Sequence, residues 1–220
     1  MDGSAEDVPQ GSMTGQERTS AGERVRAGES DFDAFYATTP PWDIGRPQPA
    51  FVRLAMEGAV AGRVVDVGCG TGEHALMAAE LGLDVTGVDV ARTAIAIAEG
   101  KARKRGLVAR FLVRDARDLA ALDEQFDTVL DCGLFHVFND EDRLRYVDAL
   151  AAVVRPDGRV HLLCFSEHVP GDVGPRRVTQ DEIRSSFQDG WRVDAIRATR
   201  IEATVAPDGV PAWCATIVRT

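Results

Sequence analysis

Large apolar side chains begin abruptly in this chain. Residues 1–30 are rich in Gly, Ser, Glu and Arg. Such a segment cannot bury enough surface to offset its ordering entropy, so a disordered extension is expected there. Phe32, Phe35 and Tyr36 open the apolar part, and the turn-rich stretch Thr39-Pro40-Pro41-Trp42-Asp43-Ile44-Gly45-Arg46-Pro47 follows. Pro49 suits the first turn of a helix carrying Phe51, Val52, Leu54, Ala55 and Met56.

From residue 63 the apolar period switches repeatedly between two and three to four. This predicts strands over 64–67, 84–88, 109–113, 126–130 and 159–165, with helices over 73–81, 91–104 and onward from Asp140. Gly106 is placed to stop the second of these helices. The helix from Asp140 would carry Leu144, Tyr146, Val147, Leu150 and Val154 and end at the turn Pro156-Asp157-Gly158. Strand 126–130 is apolar enough to be buried on both faces. After it, Thr179 and Glu182 have the spacing of a capping box, and Ile183 and Phe187 share a helix face. Two last strands, over 191–201 and 213–218, flank Ala206-Pro207-Asp208-Gly209, whose composition suits a hairpin turn. The expected fold is doubly wound α/β: a mostly parallel sheet of seven strands with an antiparallel C-terminal hairpin and helices on both faces. Residues 31–220 form its domain, with 31–58 as an N-terminal lid and helix.

Composition narrows the function classes. The chain has 220 residues, of which 45% are hydrophobic and 27% charged, as in an ordinary globular domain. A formal net charge of -10 argues against nucleic acid or an anionic membrane surface as main partner. No apolar run approaches membrane-spanning length, and the N-terminus lacks a secretory apolar core. The four cysteines form no CxxC pair, so a cytoplasmic protein with reduced thiols and no metal site is expected.

The sharpest motif is Asp66-Val67-Gly68-Cys69-Gly70-Thr71-Gly72-Glu73, between a predicted strand and a predicted helix. The third glycine is misplaced for a dinucleotide loop, and no Lys-Ser or Lys-Thr follows for a phosphate loop. Asp66 would repel a pyrophosphate but suits a cofactor bearing an ammonium and a sulfonium. Asp89 ends the second strand, at an offset from the loop appropriate to a ribose-binding acid; the other reading is a plain helix cap before Ala91. Asp115-Ala116 follows the third strand at the same sheet edge, where a carboxylate can accept from an adenine amino group.

Together these residues resemble the core of the class I S-adenosylmethionine-dependent methyltransferases, over roughly residues 32–220. The resemblance implies S-adenosylmethionine as cofactor, with Asp66, Gly68, Cys69, Gly70 and Gly72 at its methionine moiety. It further implies Asp89 and Val90 at the ribose, Asp115 and Ala116 at the adenine, and Asp131, Cys132 and Leu134 to His136 lining the reaction site. The segment Pro41-Trp42-Asp43-Ile44-Gly45-Arg46-Pro47-Gln48-Pro49 resembles the lid of the thiol, thiopurine and halide methyltransferases, which implies that Trp42 lies near the methyl donor and the acceptor.

The acceptor expected is a small molecule, in first place a thiol or another soft nucleophile. A thiol ionises near pH 8.5 and needs no strong base, whereas a phenol would benefit from one. His136 is the base candidate, at the carboxyl end of the fourth strand, although a histidine there can also bridge loop backbone groups. His161 is read as structural and His168 as a loop residue that can face the substrate. Arg46, Arg176 and Arg177 are candidate partners for an anionic acceptor. Methyl transfer to oxygen or nitrogen of a small metabolite such as a phenol or quinone is the alternative, and a non-catalytic cofactor-binding module a further one.

Overall fold

A computed structural model describes residues 29–171 and 174–220. The extension expected over 1–30 lies, up to residue 28, outside the described residues. Two short helices, α1 (Glu29–Phe35) and α2 (Pro49–Met56), precede β1 (Arg63–Val67), α3 (Glu73–Glu80), β2 (Asp84–Asp89), α4 (Arg92–Arg105) and β3 (Arg110–Val113). A 3-10 turn (Ala116–Leu122) leads to β4 (Phe126–Cys132), and a second (Phe135–Val137) leads to α5 (Asp140–Val153) and β5 (Val154–Phe165). The chain ends with α6 (Gln180–Ser186), β6 (Trp191–Ala203) and β7 (Ala206–Arg219).

The seven strands lie in the order β3-β2-β1-β4-β5-β7-β6. The pairs within β3-β2-β1-β4-β5 are parallel, and β7 runs antiparallel to both β5 and β6. Both sheet faces are covered, so alternate residues of one strand enter different cores. Val65 and Val67 pack with Tyr146 and Leu150 of α5, while Val64 packs with Phe51 of α2, Leu76 of α3 and Ile95 of α4. From β1 the chain winds outward to β3, then returns beside β1 as β4 and winds the other way. The carboxyl ends of β1 and β4 therefore flank the switch in strand order, where open α/β sheets take their ligands.

Local signals explain most boundaries. Gly106 adopts the left-handed conformation that closes α4, and Thr179 and Glu182 form the full capping box of α6. Three boundaries differ from expectation. The hairpin turns at Thr204-Val205, because Ala203 pairs with Ala206, so the expected turn residues 206–209 belong to β7 itself. Pro156-Asp157-Gly158 is a bulge inside β5 rather than a turn before it: Val154 already pairs with Phe126, and the register shifts before Arg159 meets Thr128. Val154 is accordingly a strand residue. Among the described residues no helix is long and apolar enough to cross a membrane.

Candidate active site

The loop after β1 turns back under Asp89. Gly70 donates its N–H to Asp89 Oδ2 at 2.8 Å, and Ala91 donates to Asp89 Oδ1 at 2.8 Å. Asp89 thus joins the glycine loop to Ala91, the residue that precedes α4. It keeps free lone pairs, since a carboxylate accepts about four hydrogen bonds. Val90 follows, half-buried. Cys69 is buried and donates its N–H to the Val88 carbonyl. Gly68 backs onto Leu134.

Glycine is required at Gly70 and Gly72 for different reasons. At Gly70 (φ +51°) a Cβ would lie 2.8 Å from the Tyr36 hydroxyl. At Gly72 (φ +86°) it would lie 2.8 Å from Ala98 Cβ and 3.0 Å from the Phe111 ring. The first admits the N-terminal segment over the loop, and the second lets α3 start tight against α4 and β3.

Asp66 is fully buried. Its Oδ2 accepts from Ala75 N–H at 3.0 Å, in the first turn of α3, while Oδ1 has no partner. An unpaired buried acceptor is costly, and this oxygen has capacity for one more donor. Burial, and then the carboxylates of Asp89 and Asp131, push the Asp66 carboxyl up to about 8. Burial likewise raises Asp89.

Asp131, at the end of β4, is different. Its Oδ1 accepts from Leu134 and Phe135 N–H at 2.9 and 3.3 Å, and its Oδ2 from the Tyr146 hydroxyl at 2.7 Å. The buried carboxylate shapes the turn after β4 and anchors it to α5. Burial pushes it up to about 6 against these bonds. Cys132 is half-buried beside it. Asp115 accepts from its own neighbour Arg117, at the backbone N–H (2.8 Å) and at Nε (3.0 Å). That guanidinium also reaches Asp142 at 2.8 Å. Ala116 is buried behind it.

His136 is buried, and its Nδ1 accepts from Phe165 N–H at 2.9 Å. A ring nitrogen that accepts an amide hydrogen leaves the proton of the neutral imidazole on Nε2. Burial, reinforced by the nearby Arg177 charge, pushes the group down to about 3. Of the two readings of His136, the geometry is that of a histidine bridging backbone between β4 and β5. His161 likewise lies between Ala59 O (3.0 Å) and Thr216 Oγ1 (3.2 Å), and His168 is exposed with its ring edge-on to Trp213.

The N-terminal segment crosses the loop as an aromatic cluster. Trp42 donates Nε1–H to the Tyr36 hydroxyl at 3.2 Å and packs edge-on against Phe35 at 5.3 Å, yet remains 45% exposed. Polar ties that the sequence did not disclose hold the segment down. Asp33 accepts from Thr93 N–H at 2.7 Å and Thr93 Oγ1 at 3.1 Å. It thereby caps α4, whose own N-cap Ala91 has no side chain to do so. Asp43 accepts from the Thr71 hydroxyl at 3.0 Å. Gln48 binds both backbone groups of Glu202 at 2.9 and 2.8 Å. Among the described residues no group of three His, Cys, Asp or Glu side chains is arranged to hold a metal ion.

Residues 64–158 match the family described as "Methyltransferase domain". Over 170 residues the chain is 38% identical to the 2-heptyl-1-hydroxyquinolin-4(1H)-one methyltransferase of Mycobacteroides abscessus, covering 76% of this chain and 75% of that protein. The chain belongs to the class I S-adenosylmethionine-dependent methyltransferases. Among solved structures, one described as "Conversion of a Disulfide Bond into a Thioacetal Group during Echinomycin Biosynthesis" is similar at a TM-score of 0.79 and 37% identity, over 87% of this chain and 93% of the other. The fold is shared more distantly with a Burkholderia thailandensis 1,6-didemethyltoxoflavin-N1-methyltransferase bound to S-adenosylhomocysteine, with a TM-score of 0.69, 24% identity and 87% of each chain covered. As a small-molecule methyltransferase of this family, the protein uses S-adenosylmethionine as methyl donor. The likeness of the Pro41–Pro49 segment to the thiol, thiopurine and halide group is carried by that segment alone.

Proposed function

We propose that this methyltransferase acts on a small molecule whose nucleophile ionises readily, in first place a thiol. The single observation that carries this reading is that the base candidate is engaged: the His136 Nδ1 lone pair is taken by the Phe165 amide. Asp131 is equally committed, to two amides and a phenol. A nucleophile ionising near pH 8.5 or below needs neither. The similar structure concerned with disulfide-to-thioacetal chemistry supports a sulfur acceptor.

The bound cofactor supplies an electrophilic methyl group on a cationic sulfur. The unpaired Asp66 Oδ1 fits its ammonium, and the free lone pairs of Asp89 fit ribose hydroxyls. Gly68, Cys69, Gly70 and Gly72 would pass beneath the methionine part, Val90, Asp115 and Ala116 would border the nucleoside, and Asp131 and Cys132 would back the reacting end. Residues 31–58 would form the lid, with Phe35, Tyr36 and Trp42 excluding water so that an in-line displacement proceeds between aligned reactants.

A second reading is methylation of a ring hydroxyl, favoured by the hydroxyquinolinone methyltransferase of Mycobacteroides abscessus. Turnover of thiols, phenols, amines and 2-heptyl-1-hydroxyquinolin-4(1H)-one with a labelled methyl donor separates the two. With a thiol, His136→Ala should lower turnover modestly, and less so as pH rises past the thiol's own pKa. A loss of about 10²–10⁴-fold near neutrality would instead identify His136 as a general base. Turnover on phenols with none on thiols would overturn the thiol assignment and leave fold and cofactor untouched.

A further inference from the structure

Two of the three arginines considered as anion partners are satisfied within the fold. Arg46 pairs with Glu202 at 2.5 Å, and Arg176 pairs with Asp140 at 2.5 Å and with Glu182. Arg177 is not. Its guanidinium donates to the carbonyl oxygens of Pro175 (2.7 Å) and Pro170 (3.3 Å), and its Nε is buried without a partner. Among the described residues no carboxylate pairs with it. A partly buried cation lacking a counter-ion is unfavourable by itself.

Its position gives this charge a use. Arg176 N–H donates to the His136 carbonyl at 3.2 Å, and Val178 N–H donates to the Phe165 carbonyl at 3.0 Å. Arg177 stands between them, on a segment stitched to the residues that follow β4 and end β5. This is the carboxyl edge of the sheet, on the side where an acceptor would meet the methyl donor.

We propose that Arg177 binds the ionised nucleophile of the acceptor and so selects molecules that carry a negative charge at the reacting atom. This rests on the reading of a readily ionised acceptor given above. An opposite charge within about 4–6 Å lowers an acid's pKa by about 1–3 units, which would bring a thiol's ionisation from about 8.5 to about 5.5–7.5. Among the described residues no neighbouring charge competes for the guanidinium. His136 is neutral, Asp131 is bound by Leu134, Phe135 and Tyr146, and Asp140 and Glu182 are held by Arg176. Glu167 accepts from Trp213 Nε1 at 2.7 Å, and His168 lies against that same ring.

The alternative is that Arg177 only braces its loop through the two proline carbonyls. Wild type, Arg177→Lys and Arg177→Gln, each saturated with S-adenosylhomocysteine, distinguish the two. Calorimetric titration with thiophenol and with 2-heptyl-1-hydroxyquinolin-4(1H)-one, from acid to alkaline pH, measures anion binding. Ultraviolet absorbance of the bound probe measures its pKa. Arg177→Gln should bind the anions roughly tenfold more weakly and raise the bound probe's pKa by about one unit, while Arg177→Lys should retain most of both effects. Affinity for S-adenosylhomocysteine should be the same in all three. The proposal is overturned if Lys and Gln weaken binding alike with the bound pKa unmoved, if Gln changes nothing, or if wild type binds neither probe. The acceptor reading fails separately: methylation of the hydroxyquinolinone but of no thiol removes the thiol preference and leaves the Arg177 shift standing.

Discussion

The two halves of the sheet treat their buried carboxylates in opposite ways. On the β1–β2 side, Asp66 of β1 is left with an unpaired oxygen and Asp89 of β2 with spare lone pairs, on either side of a loop of left-handed glycines. On the β4–β5 side, both oxygens of Asp131 are engaged, by two amides and the Tyr146 hydroxyl, and His136 Nδ1 is engaged by the Phe165 amide. The first half keeps acceptor capacity free, and in the second the carboxylate and the histidine are already committed to the fold. A cationic cofactor bound there would relieve repulsion among the three carboxylates, whereas on the reaction side the charge left without a counter-ion among the described residues is that of Arg177.

Asp66→Asn should break the contrast most severely. The amide can still accept from Ala75 but offers no charge to an ammonium, so cofactor affinity should fall about a hundredfold, by roughly 2–3 kcal/mol. In the free protein the same change should flatten a pH dependence. The Asp66 carboxyl is raised from 3.8 to about 8, so the folded state holds a proton that the unfolded chain has lost. Stability should therefore fall as pH rises through that window, by up to about 1.4 kcal/mol per pH unit, in wild type and not in the variant. Denaturation of both across the window measures this, and parallel curves would refute the assignment.

Asp89→Ala should weaken cofactor binding by about 1–3 kcal/mol while also freeing the Gly70 and Ala91 amides. Calorimetry with S-adenosylhomocysteine reads the loss, and an unchanged affinity would remove Asp89 from the ribose. Tyr146→Phe should have the smallest effect and the opposite distribution. It strips one bond from Asp131 and should cost about 1–2 kcal/mol of stability, with cofactor affinity unaltered. Weaker cofactor binding at unaltered stability in this variant would mean that the two halves are not separable.

The difference in legibility between the halves has a physical origin. The glycine loop was readable because its chemistry is contiguous: acid, glycines and helix start lie within eight residues, and each constrains the next. The engagement of His136 was not readable, because its partner is a backbone amide 29 positions away. The same applies to the docking of the N-terminal segment. Phe35, Tyr36 and Trp42 were visible as an aromatic cluster, but Asp33 meets Thr93 across 60 positions, and neither residue type alone announces a helix cap supplied from elsewhere. The misplaced hairpin turn shows the reverse error. Ala206-Pro207-Asp208-Gly209 has turn composition, yet pairing with β6 draws it into the strand and leaves the reversal to Thr204-Val205.

Local pattern by itself therefore determined the alternation of strands and helices, the parallel sheet with its reversed end, and the loop suited to a cationic nucleotide cofactor. These follow from side-chain period, from glycine's access to positive φ, and from charge next to that loop, all of which act over a few residues. The tertiary structure decided which polar groups are already satisfied. It left Asp66 Oδ1 and Arg177 Nε without partners while engaging Asp131, His136, Arg46 and Arg176. Satisfaction depends on which atoms meet within hydrogen-bond range after folding, and for most of these groups the partner is distant in sequence.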